Sequence, residues 1–72
     1  MVIDVEIEEI LSRHKDKILK VFTTDSSHII LPREEITVSE FLDIYEDVVT
    51  YSIEAIIRFD PMSGGLQIVV PH

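Results

Sequence analysis

Three histidines, His14, His28 and His72, are the chain's only neutral nitrogen ligands. A zinc site needs two or more ligands at close spacing, such as histidines at i and i+4 on a helix. None of the three is spaced that way. The chain has no cysteine, so disulfides and thiolate metal sites are excluded. His14 falls near the middle of an apolar face, where a hydrogen-bonded structural histidine is the expectation, and His72 is terminal. No metal and no other cofactor is expected.

Asp25, Ser26, Ser27 and His28 gather the residue types of a hydrolase triad. A triad is defined by spatial roles, which neighbours in sequence rarely fulfil, and no Gly-x-Ser-x-Gly elbow accompanies them. The segment is expected to be a turn. Gly64 and Gly65 lack the Lys-Ser/Thr and the strand-to-helix setting of a phosphate loop. Asp43, Glu46 and Asp47 could form a carboxylate cluster. On an exposed helix face they would lack the burial that tunes an acid, and no calcium-loop pattern surrounds them. The chain is not expected to be an enzyme.

The charge map says more. From Glu34 to Ile57 there are seven acids and no base, and Glu40, Asp43, Glu46 and Asp47 share one face of a helix. Carboxylates spaced along a rigid element can imitate a phosphate backbone and occupy a nucleic-acid site on a basic partner. The competing account is a solvated face that keeps the protein in solution. Ile56 and Val69 make a second candidate surface on the back of a C-terminal hairpin, where an unpaired strand edge would invite another chain.

Periodicity supplies the elements. Ile3, Ile7, Ile10, Leu11, His14, Ile18, Val21 and Phe22 recur at helical spacing, which predicts an amphipathic helix over roughly residues 4–22. Its acids lead and its bases trail, as the helix dipole prefers. Ile3, Val5 and Ile7 also alternate with acids, so a short strand followed by a helix from about Glu9 is the alternative. A polar loop spans 23–27. His28 to Leu31 is a short extended segment ended by Pro32, which suits an edge strand. Thr37 and Glu40 have capping-box spacing, flanked by an Ile36–Phe41 staple, and start a second helix at Val38 that runs to about Val49. From Tyr51 to Phe59 the period is two, then a turn at 60–65, then alternation again at Leu66, Ile68 and Val70.

The expected fold is α+β. Two amphipathic helices pack on the Tyr51/Ile57/Ile68 face of a small antiparallel sheet built around a C-terminal β-hairpin. Its 72 residues allow one domain, spanning 1–72. A chain this short buries only about 60% of the surface its unfolded form exposes, so it needs dense packing or association. Twelve isoleucines and eight valines make dense packing credible. The absence of Asn and Cys leans toward a thermophilic composition. No secretory or membrane-spanning segment is visible, and the cytoplasm is the expected location.

A net charge of −8 disfavours direct binding to nucleic acid or to an anionic membrane. It permits a protein partner with a basic surface. The leading expectation is therefore a small acidic protein-binding module, a regulator or inhibitor of a basic nucleic-acid-handling protein, working through Glu40, Asp43, Glu46 and Asp47. The alternative is a structural subunit of a homodimer or larger complex, joined through Ile56, Val69 and the rest of the hairpin.

Overall fold

The computed structural model describes residues 5–62 and 65–71. Its elements in chain order are α1 (Val5–Arg13), β1 (Ile18–Thr23), β2 (Ser27–Pro32), α2 (Val38–Tyr51), β3 (Ile56–Asp60) and β4 (Gly65–Pro71). The architecture is α+β: two helices and one four-stranded sheet in the order β1-β2-β4-β3. All three pairings are antiparallel. Two hairpins, β1–β2 and β3–β4, join through the pairing of β2 with β4, and α2 connects one hairpin to the other.

The first half of the chain departs from expectation. Helix α1 ends at Arg13, and the later part of the expected helix is a turn followed by β1. Tight bonds end the helix, from His14 N–H to Leu11 O at 3.3 Å and from Lys17 N–H to His14 O at 2.8 Å. The helical spacing of Ile18 and Val21 has a different origin. The β1–β2 register shifts between Ile18 and Lys20, so Leu19 is an extra residue in β1. A bulge of one residue resets strand alternation. Ile18 and Val21 then both pack against the core, three apart as on a helix. The alternative of an initial strand also fails where it can be followed, because Val5–Arg13 is helical. Residues 2–4, the other part of that alternative, lie outside the described residues.

The expected edge strand at His28–Leu31 is corrected too. Strand β2 is interior, with β1 on one side and β4 on the other. Its outer neighbour is the segment that periodicity alone assigns to a helix.

Helix α2 follows its local signals. Thr37 adopts an extended N-cap conformation, its Oγ1 accepts the Glu40 N–H at 3.1 Å, and Glu40 Oε1 accepts the Thr37 N–H at 3.0 Å. The helix runs two residues past Val49 and takes in Tyr51, which was expected to open a strand. Phe41, Ile44 and Val48 are buried at helical spacing. They meet Ile10 of α1, Ala55, and Ile30, Ile68 and Val70 of the sheet in a single core cluster. Burying an aliphatic side chain of this size contributes about 1.5–3 kcal/mol. Among the described residues, no buried side-chain nitrogen or oxygen lacks a partner.

Candidate functional site

Strand β3 is short, forms one edge of the sheet, and has a composition unusual for its place. It contains Ile56, Ile57, Arg58 and Phe59, and all four side chains are exposed. Strand alternation sends successive side chains to opposite faces. The β3–β4 register therefore puts Ile56, Arg58, Gln67 and Val69 on one face, and Ile57, Phe59, Ile68 and Val70 on the other. On the second face Ile68 and Val70 are fully buried, yet Ile57 is 39% and Phe59 59% exposed. The core thus ends before it reaches β3. Phe59 pairs with Leu66, itself exposed, and Met62 and Ile53 project near the two ends of the strand at 94% and 89% exposure. Six of the large exposed hydrophobic side chains fall between residues 53 and 66. A concentration of this kind marks an interaction surface, whereas scattered exposed apolar residues need no explanation.

On the other face of the same hairpin lies a polar bridge. Gln67 is buried, and its Oε1 accepts Arg58 Nε–H at 3.1 Å and Nη2–H at 2.6 Å. Its Nε2–H donates to Asp60 Oδ2 at 3.2 Å, while Asp60 Oδ1 accepts the Met62 N–H at 3.0 Å. Gln67 thereby ties Arg58 and Asp60, two residues apart on β3, to β4. Hydrogen bonds to a charged donor contribute about 1.5–3 kcal/mol, more than neutral ones.

The opposite edge is different in kind. Strand β1 carries the Leu19 bulge, and Lys20 Nζ lies 4.9 Å from the centre of the Phe22 ring. Bulges and lysines are the usual devices that keep an edge from pairing with another chain. Strand β3 has neither, and no proline.

The residues expected to bind a partner are divided by the structure. Ile56 and Val69 are cross-strand partners, with Ile56 53% exposed and Val69 half-buried. Of the four acids, Asp43 and Glu46 are exposed on α2. Glu40 is occupied by the capping box, and its Oε2 lies 3.8 Å from Lys17 Nζ. The Thr37 backbone N–H, then its hydroxyl, holds the Glu40 carboxyl below the ordinary glutamate range. Asp47 Oδ2 accepts the His14 Nε2–H at 2.7 Å, tying α1 to α2. Two of the four acids therefore have internal roles, which sequence spacing signals only for Glu40.

Alternation also signals Ile56 and Val69. It does not signal Ile57, Phe59 or the Arg58–Gln67–Asp60 bridge. Ile57 was expected beneath the helices with Ile68, and only Ile68 is covered. A single chain gives no measure of how far a helix layer extends across a sheet.

Two other places gather polar or apolar side chains. His28 is buried on β2, with its Nδ1 3.1 Å from Thr23 Oγ1, while the Ser27 hydroxyl lies 3.2 Å from that of Thr24. These are cross-strand and turn contacts. An apolar groove of about 530 Å3 lies near the start of α2, lined by Leu19, Pro32, Ile36, Val38, Phe41 and Leu66. Among the described residues there is no cluster of three or more His, Asp or Glu that could hold a metal ion. No helix among them is long and apolar enough to cross a membrane. Comparison of the chain with protein-family models, curated proteins and solved structures finds no match.

Proposed function

We propose that this chain is a protein-association module that joins an assembly through the β3–β4 hairpin. In this reading both helices cover one face of the sheet and stop short of β3, leaving that strand for a partner. The observation that carries it is the exposure of Ile56, Ile57 and Phe59 on both faces of an edge strand that carries neither a bulge nor a lysine. Leaving such side chains in water stabilises nothing in the monomer, and covering them on association would recover the apolar burial that a small domain lacks.

A second reading rests on Asp43 and Glu46. The two helices together carry seven carboxylates and one base, while the strands carry Lys20, Arg58 and Asp60. This segregation supports an acidic face that docks on a basic, nucleic-acid-handling protein. It ranks second because Glu40 and Asp47 are already engaged within the fold.

One capture experiment separates the two. Tagged protein is incubated with lysate and eluted in rising salt, alongside a Phe59→Lys variant and an Asp43→Asn/Glu46→Gln variant. The first reading expects binding that survives salt and is lost with Phe59→Lys. The second expects binding that salt releases and that the double variant loses. Binding that Phe59→Lys leaves intact would overturn the first reading.

A further inference from the structure

The hairpin surface is not only apolar; its charges are arranged to match themselves. Arg58 and Asp60 lie two apart on β3 and point to the same face. Resting on the association reading above, we infer that the occupant of the β3 edge is a second copy of this chain. The two β3 strands pair antiparallel about a two-fold axis at Phe59, giving one continuous sheet of eight strands.

The register follows from charge. A two-fold axis normal to the sheet keeps the helix layers on the same side, and it can pass through Ile57, Arg58 or Phe59. An axis at Arg58 would set that guanidinium against its own copy, and like charges directly opposed are destabilising. An axis at Ile57 pairs three residues of β3, as an axis at Phe59 does, but it sets Ile56 against Arg58 and gives that guanidinium no acid. An axis at Phe59 sets Arg58 of each copy opposite Asp60 of the other, twice, and brings the two Phe59 rings together. Opposite-charge and aromatic cross-strand pairs are both favourable. Gln67, across the ladder on β4, uses two of the five guanidinium donors of Arg58, which leaves three for Asp60 of the second copy.

Charge and area agree with this choice. Most of the carboxylates behind the −8 net charge lie on helices and loops, and Asp60 is the one acid in the strands. Two β3 edges can therefore approach without facing acidic surfaces at close range. A standard interface covers about 800 Å2 on each partner, roughly one sixth of this chain's 4934 Å2. Six large exposed apolar side chains around β3 are a suitable core for a contact of that size. The other edge, at β1, is excluded by its bulge and by Lys20.

The test uses a charge swap read by sedimentation equilibrium across the micromolar range, with circular dichroism to establish that each variant is folded. Wild type is expected to be a dimer. R58D and D60R each place like charges at both positions, and each should weaken self-association about tenfold or more. Mixed one to one, the doubly acidic edge meets the doubly basic edge, and dimers should return. A dimer that both single variants leave intact but that Phe59→Lys abolishes would overturn this register while keeping association through the hairpin. Folded wild type that stays monomeric throughout would overturn the second copy as occupant, and the capture experiment would then decide the association reading by itself.

Discussion

Replacing Thr37 with alanine should lower the melting temperature by about 4–8 °C. The substitution removes the Oγ1 that accepts the Glu40 N–H at 3.1 Å and that also donates to Glu40 Oε1 at 3.1 Å. The reciprocal bond, from the Thr37 N–H to Glu40 Oε1, remains available. Loss of a threonine N-cap costs about 1 kcal/mol. For a domain of 60–100 residues, each kcal/mol shifts the midpoint by about 4–8 °C. The loss matters because the total stability of such a chain is small, about 0.05–0.15 kcal/mol per residue. It also reaches the core directly, since the helix that Thr37 caps supplies Phe41, Ile44 and Val48. Differential scanning calorimetry of wild type, Thr37→Ala and Thr37→Ser checks this. Serine keeps the accepting oxygen and should recover most of the loss. Thr37 is exposed, and an ordinary surface substitution changes stability by no more than about 0.5 kcal/mol. An alanine variant within that margin would refute the assignment of Thr37 as a cap that holds α2 in register with the core.

Two further predictions concern the acids of the same helix. The pKa of Glu40 is lowered in the folded chain, so its contribution is present above the ordinary glutamate value of about 4.3 and lost as pH falls through the lowered one. Glu40→Gln should therefore flatten the acid limb of the stability–pH curve, measured by urea unfolding from neutral pH downward; an unchanged limb would place its origin in other carboxylates. A double-mutant cycle of His14→Ala and Asp47→Ala should give a coupling of about 0.5–1.5 kcal/mol for the 2.7 Å bond between the helices. A coupling near zero would show that Asp47 is available to a partner, as the acidic-face reading requires.

The structure divides between what neighbours along the chain decide and what distant segments decide. Helix α2 was legible because its start depends on Thr37 and Glu40, three residues apart, and its buried face on Phe41, Ile44 and Val48 within two turns. That Ile56 and Val69 share a face of the hairpin was legible because strand side chains alternate with a period of two, whereas their pairing came from the structure. The first half of the chain was not. Ile18 and Val21 fit a helical period, and only the bulge against β2 explains why a strand should bear that spacing. Once residues 18–23 are counted as helix, β2 has no outer neighbour and is misplaced at the edge.

The candidate site divides in the same way. Alternation identifies the residues of β3 that share a face, and charge counting finds the acids of α2. It does not reveal that Asp47 is bonded to His14, 33 positions away, or that Gln67 links Arg58 to Asp60. By itself the sequence determined helix α2 with its capping box, the alternation of the C-terminal hairpin and the segregation of charge, because each rests on hydrogen bonds, periods or charges among near neighbours. Tertiary structure alone decided that residues 18–23 form a strand and that the core stops short of β3, because both depend on which distant backbone and side chains are there to meet them.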